Sequence, residues 1–74
     1  MFMSELTIQF GQLVRKYRKE RNMSQEQLAL FCNIDRSYLG RIERGEVNPT
    51  LEKIYELAKA LNILMKDLIP VDVE

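Results

Sequence analysis

An all-α fold of about five helices is the architecture the sequence predicts, and three observations carry it. Apolar residues recur at i, i+3, i+4 and i+7, the spacing that lines one face of an amphipathic helix. The breaks between these stretches hold residues that end and start helices. No segment sustains the period-two alternation of a half-buried strand bounded by hairpin turns.

Leu6, Phe10, Leu13, Val14 and Tyr17 mark a first helix over about Leu6 to Arg21, with a basic opposite face. Asn22 can take the left-handed conformation that ends a helix. Ser24 with Gln27 three residues on forms a capping box that opens a second helix, whose inward residues are Leu28, Ala29 and Cys32. That helix ends by Asn33, because Asp35 is a good N-cap and Ile34 before it can staple against Leu39. A third helix follows over about Arg36 to Arg44 and stops at Gly45. After the polar stretch Glu46-Val47-Asn48-Pro49, Thr50 caps a fourth helix with a buried stripe of Leu51, Ile54, Leu57, Ala58 and Leu61. A short fifth turn or helix spans about Leu64 to Leu68, and Pro70 ends it. The expected organisation is one domain over residues 1–74. Residues 1–5 form an N-terminal extension, 24–44 a two-helix motif, 50–69 helices four and five, and 70–74 an acidic tail.

Seventy-four residues allow one small core, which a partner subunit would help to stabilise. Apolar residues at 46% and charged residues at 30% describe an ordinary globular chain. There is no histidine, which excludes imidazole-based catalysis and most zinc sites, and the lone Cys32 can form neither an internal disulfide nor a cysteine metal site. Carboxylates and lysines do not cluster as a catalytic cleft would need, so no enzyme, metal or cofactor is expected. The longest apolar run, Leu28 to Cys32, has five residues against the ~20 that cross a bilayer. The N-terminus lacks the basic and apolar regions of a signal peptide. The expectation is a cytoplasmic protein with no membrane partner.

Eleven basic and eleven acidic residues cancel, a balance that taken whole argues against nucleic acid. The sum hides an asymmetry. Residues 15–44 hold eight basic and four acidic side chains, whereas the remainder holds three basic and seven acidic. One half is therefore basic and the other acidic.

Two short helices joined by about three residues have the dimensions of a helix-turn-helix. Ala29 is small where the third helix must pass close, and Ile34, Leu39 and Ile42 are apolar where it must dock. Arg36, Ser37, Gly40 and Arg41 then fall on the outer face, as major-groove reading requires. The motif is Ser24-Gln25-Glu26-Gln27-Leu28-Ala29, Asn33-Ile34-Asp35-Arg36-Ser37-Tyr38-Leu39, Ile42-Glu43-Arg44-Gly45 and Pro49-Thr50-Leu51. Over roughly Phe10 to Ile69 the chain resembles the phage-repressor and Cro, or XRE-like, helix-turn-helix family. Within that family, Asp35 to Arg44 look most like the controller proteins of restriction-modification systems. The resemblance implies a lambda-repressor-like DNA-binding domain. Asn33 stands where the family commonly has Gly, and it is the non-glycine residue that best tolerates a left-handed backbone.

Arg36 and Arg41 are the candidates for base edges, because an Arg fork reaches guanine O6 and N7 together; Ser37 can bond a base or a phosphate. As plain surface residues the two arginines would be a solvated face. Gln25 opens the second helix, where N–H groups and the helix dipole favour phosphate, and by resemblance it clamps the DNA backbone. Tyr38 is either a core-edge aromatic or a backbone and thymine-methyl contact. Arg44 and Asn48 flank the recognition helix and could hold phosphates. Arg18 and Glu43 match family positions that form a partly buried structural ion pair.

The C-terminal region carries more apolar side chains than one small core can use. Tyr55, Leu64, Met65, Leu68 and Ile69 are the candidates for a partner surface, and the resemblance implies a two-fold homodimer there. Glu20 and Glu26 are the residues an activator would offer RNA polymerase; as ordinary helix residues they need no such role. Two functions compete. One is a homodimeric transcription regulator on a near-palindromic operator, controlling restriction-modification genes and its own promoter. The other is a protein-interaction module, such as an antitoxin or adaptor, that works through its apolar face; it would survive loss of Arg36 and Arg41.

Overall fold

The computed structural model describes residues 4–70. Its elements are α1 (Glu5–Glu20), α2 (Gln25–Phe31), α3 (Arg36–Glu43) and α4 (Leu51–Leu61), followed by a 3-10 turn, Met65–Leu68. The described residues contain four α-helices, where five helices were expected. The last element is too short to become an α-helix: Asp67 N–H bonds the Leu64 carbonyl and Ile69 N–H the Lys66 carbonyl, both at i→i+3. Pro70 then forces Ile69 into extended backbone, which ends the turn.

The α1 helix begins earlier than its apolar stripe suggests. Thr7 N–H donates to Ser4 Oγ at 3.1 Å, and Ser4 N–H donates to Thr7 Oγ1 at 2.9 Å. This reciprocal cap brings Glu5 into the helix, so it does not belong to an N-terminal extension. Residues 1–3 and 71–74, which include most of the expected acidic tail, lie outside the described residues.

Asn22, Asn33 and Asn62 all adopt positive φ, at 56°, 56° and 59°. Each ends a helix in the left-handed conformation that asparagine tolerates best after glycine. At Asn33 the following Ile34 N–H returns to the Ala29 carbonyl at 3.0 Å, so the turn closes without glycine. Asp35 is extended at the start of α3 as expected, but its side chain makes no cap bond.

The core joins Phe10 and Val14 of α1, Leu28 and Ala29 of α2 with Cys32, Leu39 and Ile42 of α3, Leu57, Ala58 and Leu61 of α4, and Leu68. Burying a side chain of the Leu or Ile class contributes about 1.5–3 kcal/mol, and this set closes one continuous interior. Two expected core residues face solvent: Leu6 and Leu51 are 59% and 71% exposed. Both sit in the first turn of a helix. Thr7 takes the inward position beside Leu6, where its hydroxyl reaches the Gly45 carbonyl at 3.0 Å. The crossing of α1 over α3 is close enough that a methyl on Gly11 would stand 2.3 Å from the Ile42 carbonyl oxygen and 2.7 Å from that of Glu43. Only glycine allows that approach.

The Gly11→Ala variant should therefore lose about 1–3 kcal/mol, the usual cost of overpacking. Its thermal midpoint should fall by about 4–8 °C for each kcal/mol lost. An unchanged midpoint would show that the two helices do not pack at this distance.

Candidate nucleic-acid interface

The α2–turn–α3 unit is fixed at both ends by local bonds and in the middle by the core. Ser24 opens α2 through the predicted capping box, with Gln27 N–H to Ser24 Oγ at 3.0 Å and Ser24 N–H to Gln27 Oε1 at 2.8 Å. Leu28 and Ala29 of α2 are buried, as are Leu39, Ile42 and Glu43 of α3. Arg36, Ser37, Arg41 and Arg44 remain on the exposed side of α3. Ser37, Arg41 and Arg44, at spacings of four and three residues, share one stripe along the helix, and Arg36 stands beside Ser37 at its N-terminal end.

Beneath this stripe lies the Glu43 carboxylate. Arg18 of α1 grips it with both arms of its fork, Nε to Oε2 at 2.6 Å and Nη2 to Oε1 at 3.1 Å. The third nitrogen, Nη1, donates to the Met23 carbonyl at 2.8 Å, and Gln25 Nε2 of α2 adds a bond to Glu43 Oε1 at 3.0 Å. Both charged residues are only 8% exposed. The predicted ion pair is thus present and also recruits Gln25, which the sequence suggested only as a phosphate clamp. Its amide nitrogen is engaged inside the protein, while its carbonyl oxygen lies near Gly40.

Gly40 departs from the expected outer face. It is buried, and a methyl there would meet the Arg44 guanidinium at 3.1 Å. Its lack of a side chain leaves the space that Arg44 crosses. Tyr38 is half-buried and packs against the core. Asn48 is exposed in the α3–α4 loop.

One residue in this region was missed. Glu46 accepts from Arg44 Nε at 2.8 Å and stands 3.8 Å from Arg41 Nε. The Arg44 hydrogen bond holds its carboxyl below the usual range, so it stays ionised at neutral pH. The signal was available: Gly45 turns the chain back at φ 77°, which places the next side chain beside the end of α3.

The expected partner surface is partly reassigned. Tyr55 and Leu64 are exposed and line one hollow with half-buried Met65, whereas Ile69 lines a separate cleft with Leu6 and Ile54. Leu68 is fully buried and cannot touch a partner; it closes the core beneath α1 and α4. Leu30 and Phe31, at the end of α2, are 82% and 72% exposed and were not anticipated. Cys32, beside them, is buried, and that burial raises its thiol pKa. Among the described residues no group of side chains could hold a metal ion, and no helix is long and apolar enough to cross a membrane.

The family model described as helix-turn-helix matches residues 14–68, from the middle of α1 through the 3-10 turn. The chain belongs to the XRE-like helix-turn-helix family of DNA-binding transcription regulators. It is 43% identical over 67 residues to the control protein C.BamHI of Bacillus amyloliquefaciens, covering 89% of this chain and 83% of that one. The crystal structure of the restriction-modification controller protein C.AhdI from Aeromonas hydrophila superposes with a TM-score of 0.83. That match has 43% identity and covers 85% of this chain and 96% of C.AhdI. The biofilm regulator SinR, whose crystal structure is a complex with DNA, matches at a TM-score of 0.75 and 32% identity, over 80% of this chain and 95% of the crystallised SinR chain.

Removing the buried carboxylate tests how far this helix-turn-helix depends on it. Glu43→Ala strands the Arg18 charge and frees Gln25, so stability should fall by about 3–5 kcal/mol. Urea unfolding measures this, and an unchanged midpoint would refute the structural assignment.

Proposed function

We propose that the protein is a homodimeric, cytoplasmic, non-catalytic regulator that reads a near-palindromic operator with α3. By its likeness to the controller proteins, its targets would be restriction-modification genes and its own promoter. One observation carries this reading: Arg36, Ser37 and Arg41 form an exposed stripe on a short helix whose opposite face is locked to α1 and α2 through Glu43. Such a helix presents two guanidinium forks to the major groove at little ordering cost. Arg44 ends the stripe and Gln25 lies beside Gly40; with Asn48 of the following loop they would position the phosphates. Glu20 and Glu26 are exposed and would remain open to RNA polymerase on bound DNA.

The dimer reading rests on size and surface. The molecule is 35 Å in its longest dimension, so a second copy is needed to bring an equivalent helix to a half-site one DNA turn, about 34–36 Å, away. Tyr55, Leu64 and Met65 supply a shared apolar hollow outside the core. Ile69 would join the interface only if it extended to the neighbouring cleft.

Two measurements test the proposal. On a DNA site enriched from a random pool, Arg36→Ala and Arg41→Ala should each cost about 1–3 kcal/mol of discrimination at one base pair in each half-site. Equal preference for every base in wild type and variants would remove these residues from base reading. In sedimentation, Leu64→Asp should shift the protein toward monomer with its helical signal retained, because Leu64 lies outside the core. A variant that remains as dimeric as the wild type would place the interface elsewhere.

A further inference from the structure

Among the described residues, Glu46 is the one acidic side chain in direct contact with the arginines assigned to DNA. Its two oxygens receive Arg44 Nε at 2.8 Å and Nη2 at 3.4 Å, and Oε1 also stands 3.8 Å from Arg41 Nε. The backbone holds it there. Gly45 N–H donates to the Ile42 carbonyl at 3.0 Å and Glu46 N–H to the Arg41 carbonyl at 2.9 Å, so the residue is tied to the last turn of α3. Its side chain is 25% exposed against 60% for Arg44. These backbone bonds already end the helix, and a pair with so exposed an arginine adds little to stability. The arrangement therefore lacks a structural reason.

We propose that Glu46 moderates phosphate binding: it competes with DNA phosphate for Arg44, and in part for Arg41, and so lowers the affinity and the salt dependence that these arginines supply on any DNA. Sequence-independent affinity comes almost wholly from cations that replace the counterions of phosphate. A guanidinium already held by a carboxylate must give up that partner before it contributes. The cost of that exchange is set by the pair itself and is therefore about the same on operator and on random DNA. The inference rests on the reading that this stripe faces DNA.

The test uses the full chain and two duplexes, one carrying a site enriched from a random pool and one of scrambled sequence. Affinities are measured by fluorescence anisotropy between 50 and 200 mM salt. Glu46→Gln should bind the scrambled duplex several-fold more tightly at the low-salt end. Its slope of log K against log salt should steepen by about 0.9 for one released arginine, which adds about 3.5-fold to the affinity lost across that range. The operator duplex should gain by a similar factor, so the ratio of operator to scrambled affinity should change little. Glu46→Ala should do the same, and most of the gain should vanish in an Arg44→Ala background. An unchanged slope would overturn the proposal. So would a gain that persists undiminished without Arg44, since removal of any nearby negative charge would then explain it. Weaker operator binding with scrambled binding unaltered would reduce Glu46 to a support of the loop and also overturn it. If Arg41→Ala and Arg44→Ala leave both duplexes bound as before, the DNA-facing reading of that end of the stripe fails, whatever Glu46 does.

Discussion

The fold is organised around one buried carboxylate. Glu43 sits on the inner side of α3, takes a two-pronged grip from Arg18 of α1, and receives the Gln25 amide of α2. Taking such charges out of water is costly, and the cost is met only when geometry and hydrogen bonding are complete. Here they are, since no buried side-chain nitrogen or oxygen among the described residues lacks a partner. The directional bonds do what apolar packing alone does poorly. Leu39 and Ile42 hold α3 against the core, but a greasy contact tolerates sliding; a bidentate pair fixes rotation and register. Gly11 serves the same crossing by letting α1 approach the α3 backbone.

That rigidity has a functional reading. A helix that inserts into a groove must present its side chains in one orientation, and the inner side of α3 is committed to two other helices, α1 and α2, before any DNA arrives. The outer side is basic, consistent with the excess of positive charge over residues 15–44. The compensating acidic residues lie mainly beyond α3, on α4 and after it. Neutral net charge is therefore a segregation of charge rather than an absence of it. Glu46 is the point where the acidic half touches the basic stripe.

Most of the fold was legible because the deciding interactions are local. Asparagines at helix ends, Ser24 with Gln27, Thr50 and Gly45 mark their boundaries through bonds made within a few residues. Periodicity located Phe10, Val14, Leu28, Leu39, Ile42 and Leu57 in the core. What was not legible depends on how helices meet. Leu6 and Leu51 match an apolar stripe, yet each lies in a first turn that the tertiary packing leaves open. Leu68 looked like surplus surface because a count of apolar residues cannot say which of them closes the monomer. Gly11 and Gly40 matter only through neighbours 30 or so residues away or one turn along, and a sequence scan sees them as weak helix formers. The site shows the same division. The arginine stripe and the Arg18–Glu43 pair were readable, whereas the second duty of Gln25 and the position of Glu46 required coordinates.

The central claim is that α3 is held in its reading orientation by the Arg18–Glu43 pair acting as a unit. A double-mutant cycle with Arg18→Met and Glu43→Leu, read by urea unfolding, tests it most directly. Each single variant leaves one buried charge without its partner, whereas the double variant replaces the pair with apolar groups. The account predicts strongly non-additive costs, with the double variant markedly more stable than the sum of the two losses implies and a coupling of about 1–3 kcal/mol. Additive losses would contradict it, because they would mean that the two side chains stabilise the domain independently.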